Sequence, residues 1–190
     1  MWVHSPPWPF SLESIDMSYL PALWRTGSYT PPSGITRTTT AGTGQLFFLP
    51  RPVMSLPVEL TWKGQLESPK VKHGGNAVRG NYLASTIVPI TGKFQQYRVG
   101  SSDTTLVNES DVWELWYDLV DFLNPTETTT QFELFWWYDS AGSKYRKWKN
   151  VEKASFSKDG GDNSYNPPVF GYTLQFHIVN PVIYTTAPGA

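Results

Sequence analysis

Between Asp111 and Leu123 the apolar residues recur at steps of three and four: Val112, Leu115, Trp116, Leu119, Phe122 and Leu123. This spacing predicts one amphipathic helix over residues 110–124, with those side chains as its buried stripe. Ser110 or Asn108 can cap it, and Asp111 and Glu114 in its first turn complement the positive helix end. Asn124-Pro125 stops it. Asp111, Glu114, Asp118 and Asp121 follow one another at intervals of three, four and three, so the four carboxylates are expected along one helix face.

On either side of this helix the period changes to two, the signature of half-buried strands. Phe170, Tyr172, Leu174, Phe176 and Ile178 alternate strictly with Thr173, Gln175 and His177, which makes the last strand the clearest core face. Phe132, Leu134, Trp136 and Tyr138 are expected on one face of another strand, and Glu133, Phe135 and Trp137 on its other face. Aromatics on both faces imply cover on both sides. Asp139-Ser140-Ala141-Gly142 is a hairpin turn. The return strand carries Lys144, Arg146, Lys147, Lys149 and Lys153 around Tyr145, Trp148 and Val151. Val58, Leu60 and Trp62 alternate with Glu59, Thr61 and Lys63 as a further strand. Tyr82–Ile90 and Phe94–Val99 are two more, separated at Thr91-Gly92. Leu46–Leu49 is a short strand ended by Pro50. Two connections are long, Glu67–Gly80 and Asp159–Pro168. The first is locally basic, with Lys70, Lys72, His73 and Arg79 around Gly74-Gly75, and loops of this length commonly bind something.

Residues 1–55 differ in texture. Pro6, Pro7, Pro9, Pro21, Pro31, Pro32, Pro50 and Pro52 oppose long helices and central strands. Trp2, Trp8, Phe10 and Trp24 are too apolar for a solvated tail. The expectation is an extended N-terminal arm anchored by these aromatics on its own domain or a neighbouring subunit, with Thr36–Gly44 as a flexible connector. Residues 56–185 then form the β domain and 186–190 a short tail. The fold class is mainly β with one packed α-helix (α+β).

Composition narrows the chemistry. The 190 residues contain no Cys, which excludes disulfides, thiolate metal sites and thiol nucleophiles. The formal charge of −1 provides no general attraction to nucleic acid or anionic lipid. Charged residues make up 16% and aromatic residues 15%, so large rigid side chains are plentiful for a core or an interface. The N-terminus lacks a basic region and an unbroken apolar run, so neither a signal peptide nor export by the general secretory route is expected. No apolar stretch is long enough to span a bilayer. His4, His73 and His177 show no metal-ligand spacing, and H-E-x-x-H is absent. Gly92-Lys93 lacks the Ser or Thr and the earlier Gly of a phosphate loop, and G-x-S-x-G is absent. The acidic helix face is convex, whereas glycosidase carboxylates flank a cleft. No enzyme, metal or cofactor is therefore expected. The basic hairpin could contact phosphates, but the net charge argues against nucleic-acid binding as its main role. Asn108-Glu109-Ser110 matches a glycosylation sequon, without meaning in the absence of export.

The run Leu119–Pro125, then Leu134-Phe-Trp-Trp-Tyr-Asp139 with Gly142, Arg146 and Val151, then Tyr172–Pro181, is similar to the N-terminal domain of bacteriophage distal tail proteins. The order of strand, long basic loop, strand, amphipathic helix, aromatic hairpin and closing strand resembles the phage tail-tube fold over roughly residues 56–184. The resemblance implies a tail-tube-like β-sandwich or split barrel in a distal tail (baseplate hub) or tube protein. It further implies a six-fold ring around a lumen through which DNA passes, in contact with neighbouring tail proteins, in a virion assembled in the host cytoplasm. Lys70, Lys72, His73, Gly74, Gly75 and Arg79 would lie in an inter-ring loop. A complementary contact between copies is expected from Asp111, Glu114, Asp118 and Asp121 against Lys144, Arg146, Lys147 and Lys149, with Asp118 and Lys147 as an exchangeable charge pair. The chain departs from the family in lacking room for a second, galectin-like domain and in its Pro- and Trp-rich start. A carbohydrate-binding β-sandwich presenting Trp136-Trp137-Tyr138 is the alternative expectation.

Overall fold

The computed structural model describes residues 20–58, 62–67, 77–124, 130–159 and 170–190; of 62–67 and 77–83 it describes the backbone alone. Its described residues are mainly β with one helix. One antiparallel five-stranded sheet takes β1 (Ala22–Thr26), β2 (Thr39–Ala41), β3 (Gly44–Phe48), β9 (Phe132–Asp139) and β10 (Lys144–Lys149) in the order β10-β9-β1-β3-β2. A second takes β4 (Arg51–Ser55), β7 (Thr86–Val99), β11 (Glu152–Lys158) and β12 (Gly171–Ile178) in the order β11-β12-β7-β4, with β8 (Ser102–Thr105) also on β7. β5 (Trp62–Glu67) and β6 (Ala77–Leu83) form a two-stranded ribbon.

Helix α1 (Glu109–Leu123) begins where Asn108 accepts a hydrogen bond from the Asp111 backbone N–H at 2.8 Å, satisfying one orphan donor of the first turn. Its C-terminal turn has no basic residue of its own. Arg25 of β1 supplies the charge, donating to the Phe122 carbonyl at 3.0 Å. Val112, Leu115, Leu119, Phe122 and Leu123 are buried as the spacing requires, and Trp116 packs against the same core half-buried.

The main core joins α1 to both sheets. Leu23 and Phe47 enter it from the first sheet, and Val88, Ile90, Phe94, Tyr172, Leu174, Phe176 and Ile178 from the second. Each fully buried aromatic or aliphatic side chain there contributes about 1.5–3 kcal/mol. The alternate residues Ala22, Trp24, Leu46 and Phe48 belong to a second cluster with Phe135. The C-terminal residues run across this cluster. Gly189 lies so near the Trp24 indole that a Cβ would come within 2.7 Å of the ring.

Several local expectations change. Residues 22–55 are not an arm: β1 lies between β9 and β3, and Trp24 is a core residue of its own chain. The prolines punctuate instead of forbidding strands. Pro21 precedes β1, Pro31 and Pro32 lie in a loop, and Pro52 is on β4, which among the described strands pairs with β7 alone. The expected connector over Thr36–Gly44 holds β2 and a hairpin turn at Gly42, with Arg37 and Thr38 buried. Trp2, Trp8 and Phe10 lie outside the described residues.

β7 runs without a break through Thr91-Gly92. Gly92 stands opposite Tyr172, and a Cβ there would collide with the Tyr172 phenol. This glycine makes room for a ring and does not end a strand. The break falls at Ala84-Ser85. In β9, Phe135 pairs with Lys147 and Trp137 with Arg146, leaving Trp136 as the extra residue of a bulge. The bulge reverses the alternation, so Tyr138 packs with Phe135 and not with Phe132, Leu134 and Trp136. The basic return strand ends at Lys149. Asn150, at a φ of 53°, turns the chain into β11 of the second sheet, which carries Lys153. Residues 186–190, expected as a plain tail, fold onto the first sheet.

Candidate functional site

The four helix carboxylates do not share one environment. Asp118 is 0% exposed and accepts three hydrogen bonds: from Arg37 Nε at 2.6 Å, Ser33 Oγ at 2.6 Å and the Ser33 backbone N–H at 3.1 Å. Arg37 is itself buried, lies over the Tyr97 ring at 4.7 Å, and reaches Glu114 at 3.7 Å. Tyr29 donates to the Asp118 carbonyl at 2.7 Å, and its phenol pKa is pushed up by burial and then by the Asp118 charge. This network ties the loop after β1 to the helix. Asp121 remains toward solvent, and Asp111 and Glu114 are half-exposed.

The basic hairpin divides in the same way. Lys147 is 0% exposed, donating to Glu133 Oε2 at 2.7 Å and to the Ala187 carbonyl at 2.6 Å. Desolvation lowers its pKa, and the hydrogen bond and charge of Glu133 oppose that shift. The Gly189 N–H donates to the same Glu133 oxygen at 3.2 Å. Lys147 and Tyr184 exchange backbone hydrogen bonds at 2.9 and 3.0 Å, which covers the outer edge of β10 at that point. Lys149 lies over Tyr184 at 4.7 Å. Lys144 and Arg146 are the exposed cations of the strand. An exchangeable Asp118–Lys147 pair between copies is therefore corrected: each is sealed inside its own chain by a partner of opposite charge.

The helix face left over holds residues that the carboxylate pattern overlooked. Trp113 and Tyr117, one turn apart, are 38% and 59% exposed, with their rings stacked at 5.9 Å. Lys158 of β11 sits 3.8 Å from the Trp113 ring centroid, and Glu109 accepts from the indole N–H at 3.2 Å. The signal was present in the helical period, because both positions fall outside the apolar stripe. Trp136-Trp137-Tyr138 does not present one platform. Trp136 packs on Trp148 at 4.3 Å, Tyr138 packs among Phe48, Phe135 and Tyr145, and Trp137 is 37% exposed beside Arg146.

A groove of about 580 Å³ lies between Leu20-Pro21, Val53-Met54, Leu56 and Trp136. Its lining is mostly apolar and brings no acid–base pair together. Among the described residues no three His, Asp or Glu side chains gather in a metal-binding arrangement. His177 lies on the outer face of β12 with Nδ1 3.3 Å from Glu152. Among the described residues no helix is long and apolar enough to cross a membrane. Lys70, Lys72, His73, Gly74 and Gly75 fall outside the described residues, and Arg79 is placed only as a backbone position in β6.

No protein-family model matches the chain, and no curated protein is significantly similar to it.

Proposed function

We propose that this protein is a structural, ring-forming component of a bacteriophage tail, of the distal-tail or tube kind, with a tail-tube-like fold. The observation that carries the reading is the outer edge of the second sheet, which is unpaired among the described residues. β11 pairs with β12 alone among the described strands, and its residues Glu152 to Ser155 are all exposed. A long open edge is a liability in an isolated monomer, and closure into a symmetric ring consumes it through head-to-tail contacts. The exposed Lys153 on this edge opposes unspecific pairing. The order of helix, aromatic hairpin and alternating closing strand supports the same reading, as does a surface bearing exposed aromatics and charges. Six copies would enclose a channel through which DNA passes, in contact with neighbouring tail proteins. A net charge of −1 suits a channel that does not retain DNA.

The test is light scattering after size exclusion, followed by electron microscopy of the purified chain. A hollow ring with a pore wide enough for duplex DNA is expected. A monomer that persists at high concentration refutes the reading, and one that shifts on addition of glycans would favour a carbohydrate-binding module instead.

A further inference from the structure

We infer that the outward face of α1 docks onto the exposed β9–β10 hairpin of a second copy of this chain; the inference rests on the ring reading above and specifies its contact. One surface is built of Trp113, Tyr117 and Asp121, which follow each other at four-residue steps along the helix. Glu109 and Asp111 extend it with negative charge at the helix start. The other surface is built of Lys144, Arg146 and Trp137, the last two being register partners across the hairpin.

The internal pairing decides which charges are left to meet. Asp118 is consumed by Arg37 and Ser33, and Lys147 by Glu133 and Ala187. What each surface keeps is exposed aromatic area beside charge mostly of one sign, carboxylates on the helix, where Lys158 is the exception, and cations on the hairpin. Carboxylates beside a stacked Trp–Tyr pair suit a partner with a guanidinium, which can lie on an aromatic face and hydrogen-bond a carboxylate together. Aromatics and Arg are the groups that dominate the energetics of protein interfaces. Lys158 and Glu109 hold Trp113 from two sides, so little side-chain freedom remains to be lost on docking. The two surfaces are different patches of one molecule. A contact between them is therefore heterologous, the type that propagates from copy to copy and closes into a ring when the rotation allows.

Two experiments read this contact. The chain has no Cys, so Tyr117→Cys and Arg146→Cys proteins carry one thiol each. Mixed under mild oxidation, they are expected to give a disulfide heterodimer within the assembled particle. D121K and R146E are each expected to weaken assembly by about tenfold or more, and the double variant to regain most of it. Circular dichroism and the urea midpoint of each variant separate lost assembly from lost folding. If the wild type assembles while neither charge variant weakens it and no heterodimer forms, this contact is overturned and the ring reading stands. If the wild type never assembles, both fall.

Discussion

Replacing Asp118 by Ala tests the central electrostatic feature of the fold. The carboxylate and the Arg37 guanidinium are 0% and 2% exposed and meet at 2.6 Å. D118A leaves the buried Arg37 only the half-exposed Glu114 at 3.7 Å and removes the acceptor of both Ser33 donors. Breaking a buried pair from one side costs about 3–5 kcal/mol. For a chain of this size that lowers the melting temperature by on the order of 10 °C. R37M/D118L removes both charges and refills the space, so its stability should return to within about 1–2 kcal/mol of wild type. Urea titrations followed by tryptophan fluorescence give both numbers. A D118A loss below about 0.5 kcal/mol, the value of an ordinary surface change, would refute the buried network and return Asp118 to a solvated helix face.

Three further outcomes follow from the same packing. K147M leaves Glu133 without its cation and frees Ala187, so it should cost about 3–5 kcal/mol, while K147M/E133Q recovers part of this in the same titration. G92A drives a methyl into the Tyr172 ring and should lower stability by about 1–3 kcal/mol; an unchanged midpoint would show that β7 and β12 do not meet there. Tyr172 is buried and donates to the Pro50 carbonyl at 2.7 Å, and burial pushes its pKa well above 10.0. Below pH 10.0 both states hold the proton. Above it the unfolded chain loses the proton first, so stability should fall by about 1.4 kcal/mol per pH unit from this group. Y172F should flatten that alkaline decline, and tyrosinate absorbance should show a phenol that ionises only on unfolding.

The helix, the alternating face of β12 and the D-x-x-G hairpin were legible in the sequence because each is set by local spacing, and of the two caps it allowed, Ser110 and Asn108, the structure uses Asn108. A 3.6- or 2-residue period and a capping side chain need no distant partner to declare themselves. The same logic failed where distant residues decide. Nothing near Pro21, Pro50 or Pro52 says that β1 will lie mid-sheet between β9 and β3, and prolines counted along the chain looked like an arm. Gly92 was a break by composition and became a strand residue because the Tyr172 ring occupies its missing side chain's place. The bulge at Trp136 turned Tyr138 to the opposite face, which strict alternation cannot foresee. Charge was the least local property of all. Four carboxylates at helical spacing are equivalent in sequence, yet Arg37 arrives from 81 residues away and takes Asp118 out of solvent, while Lys147 is withdrawn by Glu133 and a carbonyl 40 residues on. Period and capping act over one or two turns and are written in the sequence; desolvation depends on everything that packs around a group, and only the tertiary structure determines which charges remain to face a partner.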